Sequence, residues 1–284
     1  MMFPSRIYEY NDANINRLII IGDIHGDIRR FKEILIDSKI INNNFEWIAE
    51  PPNSIVIQLG DQVDSLNRMT NENWEVLNDY EMIYFTEHLD NIARTKGGRC
   101  ISLIGNHELM NVIGDFSYVS PMNKNDLRIN LFKSQGSLAL ILAKRPLILK
   151  INDLLFCHAK FENKHLELLK KNNKSIFYIN EIWEKYLTTS KINLEDKEIF
   201  DFIILGNKGI LWNRNNNNLN ETKLLFNEIK VSYMFLGHTA LNNITFLDNQ
   251  IIYCDNGISR AFGKNSYQYI DIINNTINVK TINN

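Results

Sequence analysis

The stretch Leu18-Ile19-Ile20-Ile21-Gly22-Asp23-Ile24-His25-Gly26 sets the reading of the whole chain. A short β-branched apolar run that stops at Gly and polar residues reads as a buried sheet strand. Its carboxyl end carries Asp23 and His25, which share a face of an extended segment because side chains i and i+2 point the same way. Both can reach one cation, and the flanking glycines allow close backbone approach. Alone, an Asp-x-His triplet is more often surface polarity than a metal site.

The same layout recurs. Ile55-Val56-Ile57 precedes Gly60-Asp61-Gln62-Val63-Asp64, and Ile101-Ser102-Leu103-Ile104 precedes Gly105-Asn106-His107-Glu108. Leu154-Leu155-Phe156-Cys157 precedes His158, Tyr233-Met234-Phe235-Leu236 precedes Gly237-His238, and Ile251-Ile252-Tyr253-Cys254 precedes Asp255-Asn256-Gly257. Strands that end in polar loops are where α/β sheets put their chemistry. Either lone histidine, His158 or His238, reads by itself as a hydrogen-bonded core residue. The combination changes that, since four of the six histidines stand at strand ends beside Gly, Asp or Asn. His88 and His165 fall in helical patterns and read as surface residues. Mixed His/Asp/Asn donors suit first-row metals rather than calcium, and the absence of ligating Cys argues against structural zinc.

Helical patterns separate the strands. Ile28, Phe31, Ile34 and Leu35 mark an amphipathic helix after Gly26. The spacing predicts a second helix over 75–93, with Leu77, Tyr80, Ile83 and Tyr84 interleaved among acids, and a third over 126–144, stopped by Arg145-Pro146. Residues 161–202 read as a helical insertion, a cap or side lobe within one domain spanning 1–284. Its Phe177, Tyr178, Trp183 and Tyr186 stand at helical spacing and read as core rather than as a platform for a base.

The chain has 284 residues, 44% of them hydrophobic and 23% charged, which excludes wholesale disorder. A net charge of −2 removes the electrostatic footprint of a general nucleic-acid binder. No apolar run reaches about 18 residues, so no membrane helix is expected. The first residues carry no secretory pattern. Three cysteines without a CxxC spacing read as reduced, buried thiols of a cytoplasmic protein. The 41 Asn and 41 Ile are a compositional skew. Ile fills strands and helix faces, while Asn collects in loops such as Asn42–Asn44 and Asn215–Asn218.

Taken in order, DIHG, GDQVD, GNHE, a later His and GHT, each behind a strand, resemble the calcineurin-like metallophosphoesterase superfamily. Within it, Gly105–Asn111, Gly114-Asp115, Tyr118-Val119, Phe132-x-x-x-Gly136, Leu211-Trp212-Asn213-Arg214 and Asp255–Ser259 are similar to the Shewanella-like branch of the phosphoprotein phosphatases. The resemblance implies an α/β fold, a four-layer α/β/β/α sandwich of two mixed sheets. It implies two divalent metal ions, Mn, Fe or Zn, with Mn favoured in vitro. Asp23, His25 and Asp61 would hold the first, and Asp61, Asn106, His158 and His238 the second. His107 would be the general acid, oriented by Asp64, and a metal-bridging hydroxide would attack phosphorus in line. A carboxylate beside an imidazole favours its protonated form. No Cys-x5-Arg loop offers a cysteine nucleophile.

Two departures stand out. The family places Arg directly after the second Asp of GDxxD, where it grips phosphate; here that position is Ser65, with Arg68 nearby. Arg214 is the better candidate for a bidentate phosphate clamp, and Arg260 a third. At the fourth motif His158-Ala159 stands for His-Gly. The expected activity is phosphomonoester hydrolysis on a phosphorylated protein, Ser/Thr or Tyr, or on a small phosphoester, with neither nucleic acid nor membrane as partner. Alternatives are a nucleotide or dinucleotide polyphosphate hydrolase and a catalytically weak phosphoprotein-binding scaffold. A nuclease is least favoured.

Overall fold

The computed structural model describes residues 8–283 apart from 13, 66–78 and 216–218. In chain order the elements are β1 (Glu9–Tyr10), β2 (Arg17–Ile21), α1 (Ile28–Asp37), β3 (Ile55–Gln58), α2 (Asp79–Thr95), β4 (Arg99–Ser102) and α3 (Asn106–Ile113). Next come α4 (Asp126–Phe132), α5 (Ser137–Leu142), β5 (Ile148–Ile151), β6 (Leu154–Cys157), α6 (Asn163–Lys171), α7 (Tyr178–Thr189) and α8 (Leu194–Ile199). The last are α9 (Leu219–Ile229), β7 (Tyr233–Leu236), β8 (Thr245–Leu247), β9 (Ile251–Tyr253), β10 (Ser266–Ile273) and β11 (Thr276–Asn283).

The strands form two mixed sheets, ordered β11-β10-β2-β3-β4 and β1-β5-β6-β7-β9-β8. Alternation along β2 explains the layering. Leu18 and Ile20 join Phe156, Phe235 and Ile252 between the sheets, while Ile19 and Ile21 face the helices. α1 and α2 cover the outer face of the five-stranded sheet through Phe31, Ile34, Leu35, Met82 and Leu89. The other helices cover the six-stranded sheet, with Trp183 at the centre of that layer. The result is the four-layer α/β/β/α sandwich.

Register sets up the chemistry. β2, β3 and β4 are parallel, with Ile21 beside Gln58 and Gln58 beside Ser102. β6, β7 and β9 are parallel too, with Cys157 beside Leu236 and Leu236 beside Tyr253. Two in-register triplets therefore end together, and their polar loops meet along one edge of the sandwich.

Three sequence expectations need correction. The helix expected over 126–144 is two helices, because Gly136 packs against the Asn130 and Leu131 carbonyls where a Cβ would clash. The break is tied to α7, since Ser134 Oγ and Gln135 N–H donate to the Leu187 carbonyl. On α2 the buried face is Met82, Ile83, Thr86, Leu89 and Ala93, and Tyr84 is exposed; positions 75–78 lie outside the described residues. Residues 161–202 build the outer helical layer, and none of them lines the cleft described below. Phe177, Tyr178, Trp183 and Tyr186 pack in that layer.

His165 is the third correction, being fully buried rather than on the surface. Its Nδ1 accepts the Glu162 N–H at 3.1 Å at the start of α6, so its Nε2–H donates to the Lys208 carbonyl at 2.8 Å. Burial pushes its pKa down from 6.5 to about 4. The folded state then binds fewer protons than the unfolded one between these values, so stability falls as pH drops through that window. Thermal melts of His165→Gln should show a lower Tm at pH 7 and a shallower loss between pH 6.5 and about 4 than the parent chain.

Candidate metal centre

Asp61 is the residue around which the six loops gather. It follows β3, is 2% exposed, and its carboxylate lies 3.3 Å from His158 Nε2 and 3.8 Å from His107 Nε2. Its backbone is held by Glu108. The Glu108 carboxylate accepts the N–H groups of Asp61 (2.9 Å), Gln62 (2.8 Å) and Gly105 (2.7 Å), with Val63 at 3.3 Å. One buried side chain thus staples the loop after β3 to the loop after β4. Asp61 Oδ1 in turn accepts the His107 N–H at 2.9 Å, an anion on the amino end of α3. Gly105 is required there, because a Cβ would run into Asp61.

The histidines are oriented by carbonyls. His158 Nδ1 lies 2.8 Å from the Leu59 carbonyl, so it carries the proton and leaves Nε2 as an acceptor. That Nε2 faces Asn106 Oδ1 at 3.0 Å and Asp61 Oδ2 at 3.3 Å. With Nε2 unprotonated, three electron-rich atoms are turned toward one another and suit a shared cation, while a proton on Nε2 would meet the same need. The pKa of His158 answers in the same sense. Burial would lower it, but Asp61 overrides burial and raises it. Asp61 itself is held well below the usual carboxylate range against its own burial by His158, His107 and His25.

His25 Nδ1 lies 3.2 Å from the Val63 carbonyl, and its Nε2 is 4.0 Å from Asp23 Oδ2. Asp23 accepts the His238 N–H through both oxygens, at 3.2 and 3.0 Å. His238 Nε2 accepts the Arg214 Nε–H at 2.9 Å and lies 3.2 Å from the Trp212 carbonyl, two contacts that call for opposite tautomers of the ring. Burial and then His158 push its pKa down to about 3, so it stays neutral, the form that binds metals. Two donor groups with all ligand atoms within 4.8 Å result, His25–Asp61–His107 and Asp61–His158–His238. Asn106 and Asp23 flank them. The donors, their burial and the facing acceptors at His158 fit two divalent cations sharing Asp61.

Strain accompanies the arrangement. His25, Asp61, Asp64 and His238 have φ of 46°, 52°, 66° and 64°, in the left-handed region that costs a non-glycine residue about 1–3 kcal/mol. The cleft above them has a volume of about 320 Å³, with Tyr118, Trp212 and Phe262 on its walls. Residues 16–242 match the family model for calcineurin-like phosphoesterases.

The chain belongs to the calcineurin-like phosphoesterase family. Shewanella-like protein phosphatase 2 of Arabidopsis thaliana is 31% identical over 113 residues, 40% of this chain. Shewanella-like protein phosphatase 1 of Plasmodium berghei is 34% identical over 161 residues, 53% of this chain. The chain spans only 26% and 41% of the lengths of these two relatives. The cold-active protein-tyrosine phosphatase of a Shewanella species shares the fold, with a TM-score of 0.78 at 22% identity over 98% of this chain and 83% of that one. In this chain the sequence motifs do converge, but the arginines separate. Arg214 lines the cleft, whereas Arg260 pairs with Asp27 at 3.0 Å and is not on its wall. Arg68 lies outside the described residues.

Sequence reasoning missed Arg128. Fully buried on α4, it donates from Nη2 to Asp64 Oδ1 (2.6 Å), from Nη1 to Asp79 Oδ2 (2.8 Å) and from Nε to Asn111 Oδ1 (2.7 Å). Asn111 donates to Asp64 Oδ2, which also faces His107 Nδ1 at 3.1 Å. A guanidinium absent from position 65 is thus present beside Asp64, brought by a distant helix, and it orients the carboxylate instead of facing the cleft. Burial first, and then Asp64, raise Asp79 to about 6 despite Arg128. Arg128→Met should leave metal content unchanged and lower kcat about 10–100-fold, measured by steady-state turnover beside elemental analysis.

Proposed function

We propose that this chain is a dinuclear metal-dependent phosphatase that hydrolyses phosphomonoesters, with phosphorylated protein, Ser/Thr or Tyr, as its substrate. One observation carries the reading: two groups of buried donors, His25–Asp61–His107 and Asp61–His158–His238, share Asp61, and His107 Nδ1 lies 3.1 Å from Asp64. In this reading Asp23, His25 and Asp61 hold one metal and Asp61, Asn106, His158 and His238 the other, manganese being the ion of choice. The bound cations would polarise the phosphoryl oxygens and bring the pKa of water from about 15.7 toward about 7.

The chain's own groups do the rest. His107 Nδ1 lies 3.1 Å from Asp64 Oδ2, which orients the ring, and in this reading Nε2 would give a proton to the leaving alkoxide or phenoxide. Arg214 lines the cleft, bonded through Nε and Nη2 to His238, and in this reading its guanidinium would bind the phosphate. The curated relatives are named protein phosphatases, which supports phosphoprotein as the substrate class. Residues 161–202 belong to the same single domain. Three buried, unpaired thiols suit a reducing, cytoplasmic setting.

Turnover of para-nitrophenyl phosphate with added Mn²⁺ tests the reading, together with metal analysis. Two metals per chain and turnover are expected; neither metal nor turnover would overturn it. Asn106→Ala should lose metal and activity together. His107→Ala should keep metal and lose rate, most for alkyl leaving groups that need a proton. A panel of phosphopeptides against dinucleotide polyphosphates, read by released phosphate, separates the proposed substrate from the polyphosphate alternative. Arg214→Gln should raise KM more than it lowers kcat if the guanidinium binds phosphate in the ground state, seen in the same turnover assay.

A further inference from the structure

Asp79, the first residue of α2, is buried and does not line the metal cleft. Its two oxygens go to two different partners. Oδ1 accepts the Asp64 N–H at 3.2 Å, and Oδ2 accepts from Arg128 Nη1 at 2.8 Å. Among the described residues neither oxygen accepts an N–H of α2, so capping that helix does not account for the acid.

Both partners lead to the same group. Asp64 has φ of 66°, a conformation unfavourable for a non-glycine residue, and Asp79 holds its N–H there. Arg128 bridges the two carboxylates, with Nη2 on Asp64 Oδ1 at 2.6 Å and Nη1 on Asp79. The other Asp64 oxygen takes Asn111 Nδ2 at 2.8 Å and lies 3.1 Å from His107 Nδ1. Asp79 thus fixes Asp64 twice, at the backbone and, through the guanidinium, at the carboxylate.

Stability alone does not favour a charge at this position. Burial first, and then Asp64, push the Asp79 pKa up to about 6 despite Arg128. A buried pair of like charges is unfavourable, and a neutral side chain would avoid the repulsion. The geometry nevertheless asks for a carboxylate, because both groups facing Asp79 are donors, the Asp64 N–H and Arg128 Nη1–H. An amide could accept from one of them while turning its own NH2 on the other. Arg128 has no slack to absorb such a change, since its Nε is already on Asn111 and its Nη2 on Asp64.

We propose that Asp79 is a positioning residue for proton transfer at the metal centre, holding the Asp64 N–H and the Arg128 guanidinium so that the Asp64 carboxylate keeps the His107 ring in place. The proposal rests on the phosphatase reading in taking His107 as the proton donor. Among the described residues Asp79 bonds to no proposed metal ligand, so its loss should act on the proton step and leave metal content alone.

Steady-state turnover of phenyl phosphate and para-nitrophenyl phosphate by the manganese-loaded chain tests it, since phenoxide needs a proton far more than nitrophenoxide does. Asp79→Asn should lower kcat about tenfold on phenyl phosphate and less than about threefold on para-nitrophenyl phosphate, with KM and metal content unchanged. In a His107→Ala background, Asp79→Asn should lower kcat no further. Equal falls on the two esters, no fall on phenyl phosphate, a further fall in that background or loss of metal would each overturn the proposal. Asp79→Glu keeps the charge but moves both oxygens, and it carries the same expectations should Asp79→Asn not fold. A parent chain without turnover would count against the phosphatase reading, and nitrogen NMR spectra of the histidine rings in the zinc-loaded chain then decide on Asp79. A single His107 tautomer in the parent and a mixture in Asp79→Asn is expected; the same pattern in both chains would overturn the proposal.

Discussion

The buried Asp61 carboxylate, surrounded by His25, His107 and His158, is the constraint on which the candidate metal edge of this chain depends. A charge in that position is costly unless it is paired. The pairing comes from imidazoles on the loops after β2, β4 and β6, so the carboxylate gathers segments from both sheets. Its backbone conformation is unfavourable, with φ at 52°. Glu108 makes it tenable by accepting three successive N–H groups of that loop, Asp61, Gln62 and Val63, while also tying down Gly105. The strain at the site is thereby balanced by hydrogen bonds one layer below it.

A second network supports the first. Asp64 is oriented by Arg128, Asn111 and the His107 ring, so its carboxylate has no freedom to turn. Removing one partner from such a set leaves a buried group unsatisfied, which is why these residues act as a unit. The two networks meet at His107, whose N–H is held by Asp61 and whose Nδ1 faces Asp64. The imidazole proposed to handle the proton is thus positioned by both carboxylates, one through the backbone and one through the ring.

Much of this was legible because the chemistry recurs at strand ends. Asp23, His25, Asp61, Asn106, His158 and His238 each follow an apolar run, and two parallel triplets in register bring those ends together. Other residues gave no such signal. His165 stands in a helical pattern that looks the same whether its face is covered or open; only the packing of α6 against the Lys208 turn buries it. Arg128 reads as one charge on an amphipathic helix. The Asn125 side chain caps the start of α4 by accepting the Arg128 N–H, and the break before Gly136 separates α4 from α5. Arg260 resembled a phosphate ligand until Asp27 was found beside it.

Periodicity and residue chemistry within a few positions gave the strand–loop frame, and the resemblance to a known family then pointed to the six candidate donors and to His107 with Asp64. Tertiary structure decided which donor groups come within reach of one another, which carbonyls turn each histidine ring, and which arginine lines the cleft. Those outcomes depend on the register of two sheets and on side chains separated by tens to hundreds of positions, such as Asp64 with Arg128 and Asp23 with His238. No local pattern encodes such distances. They are set when burial forces each charged group to find its partner.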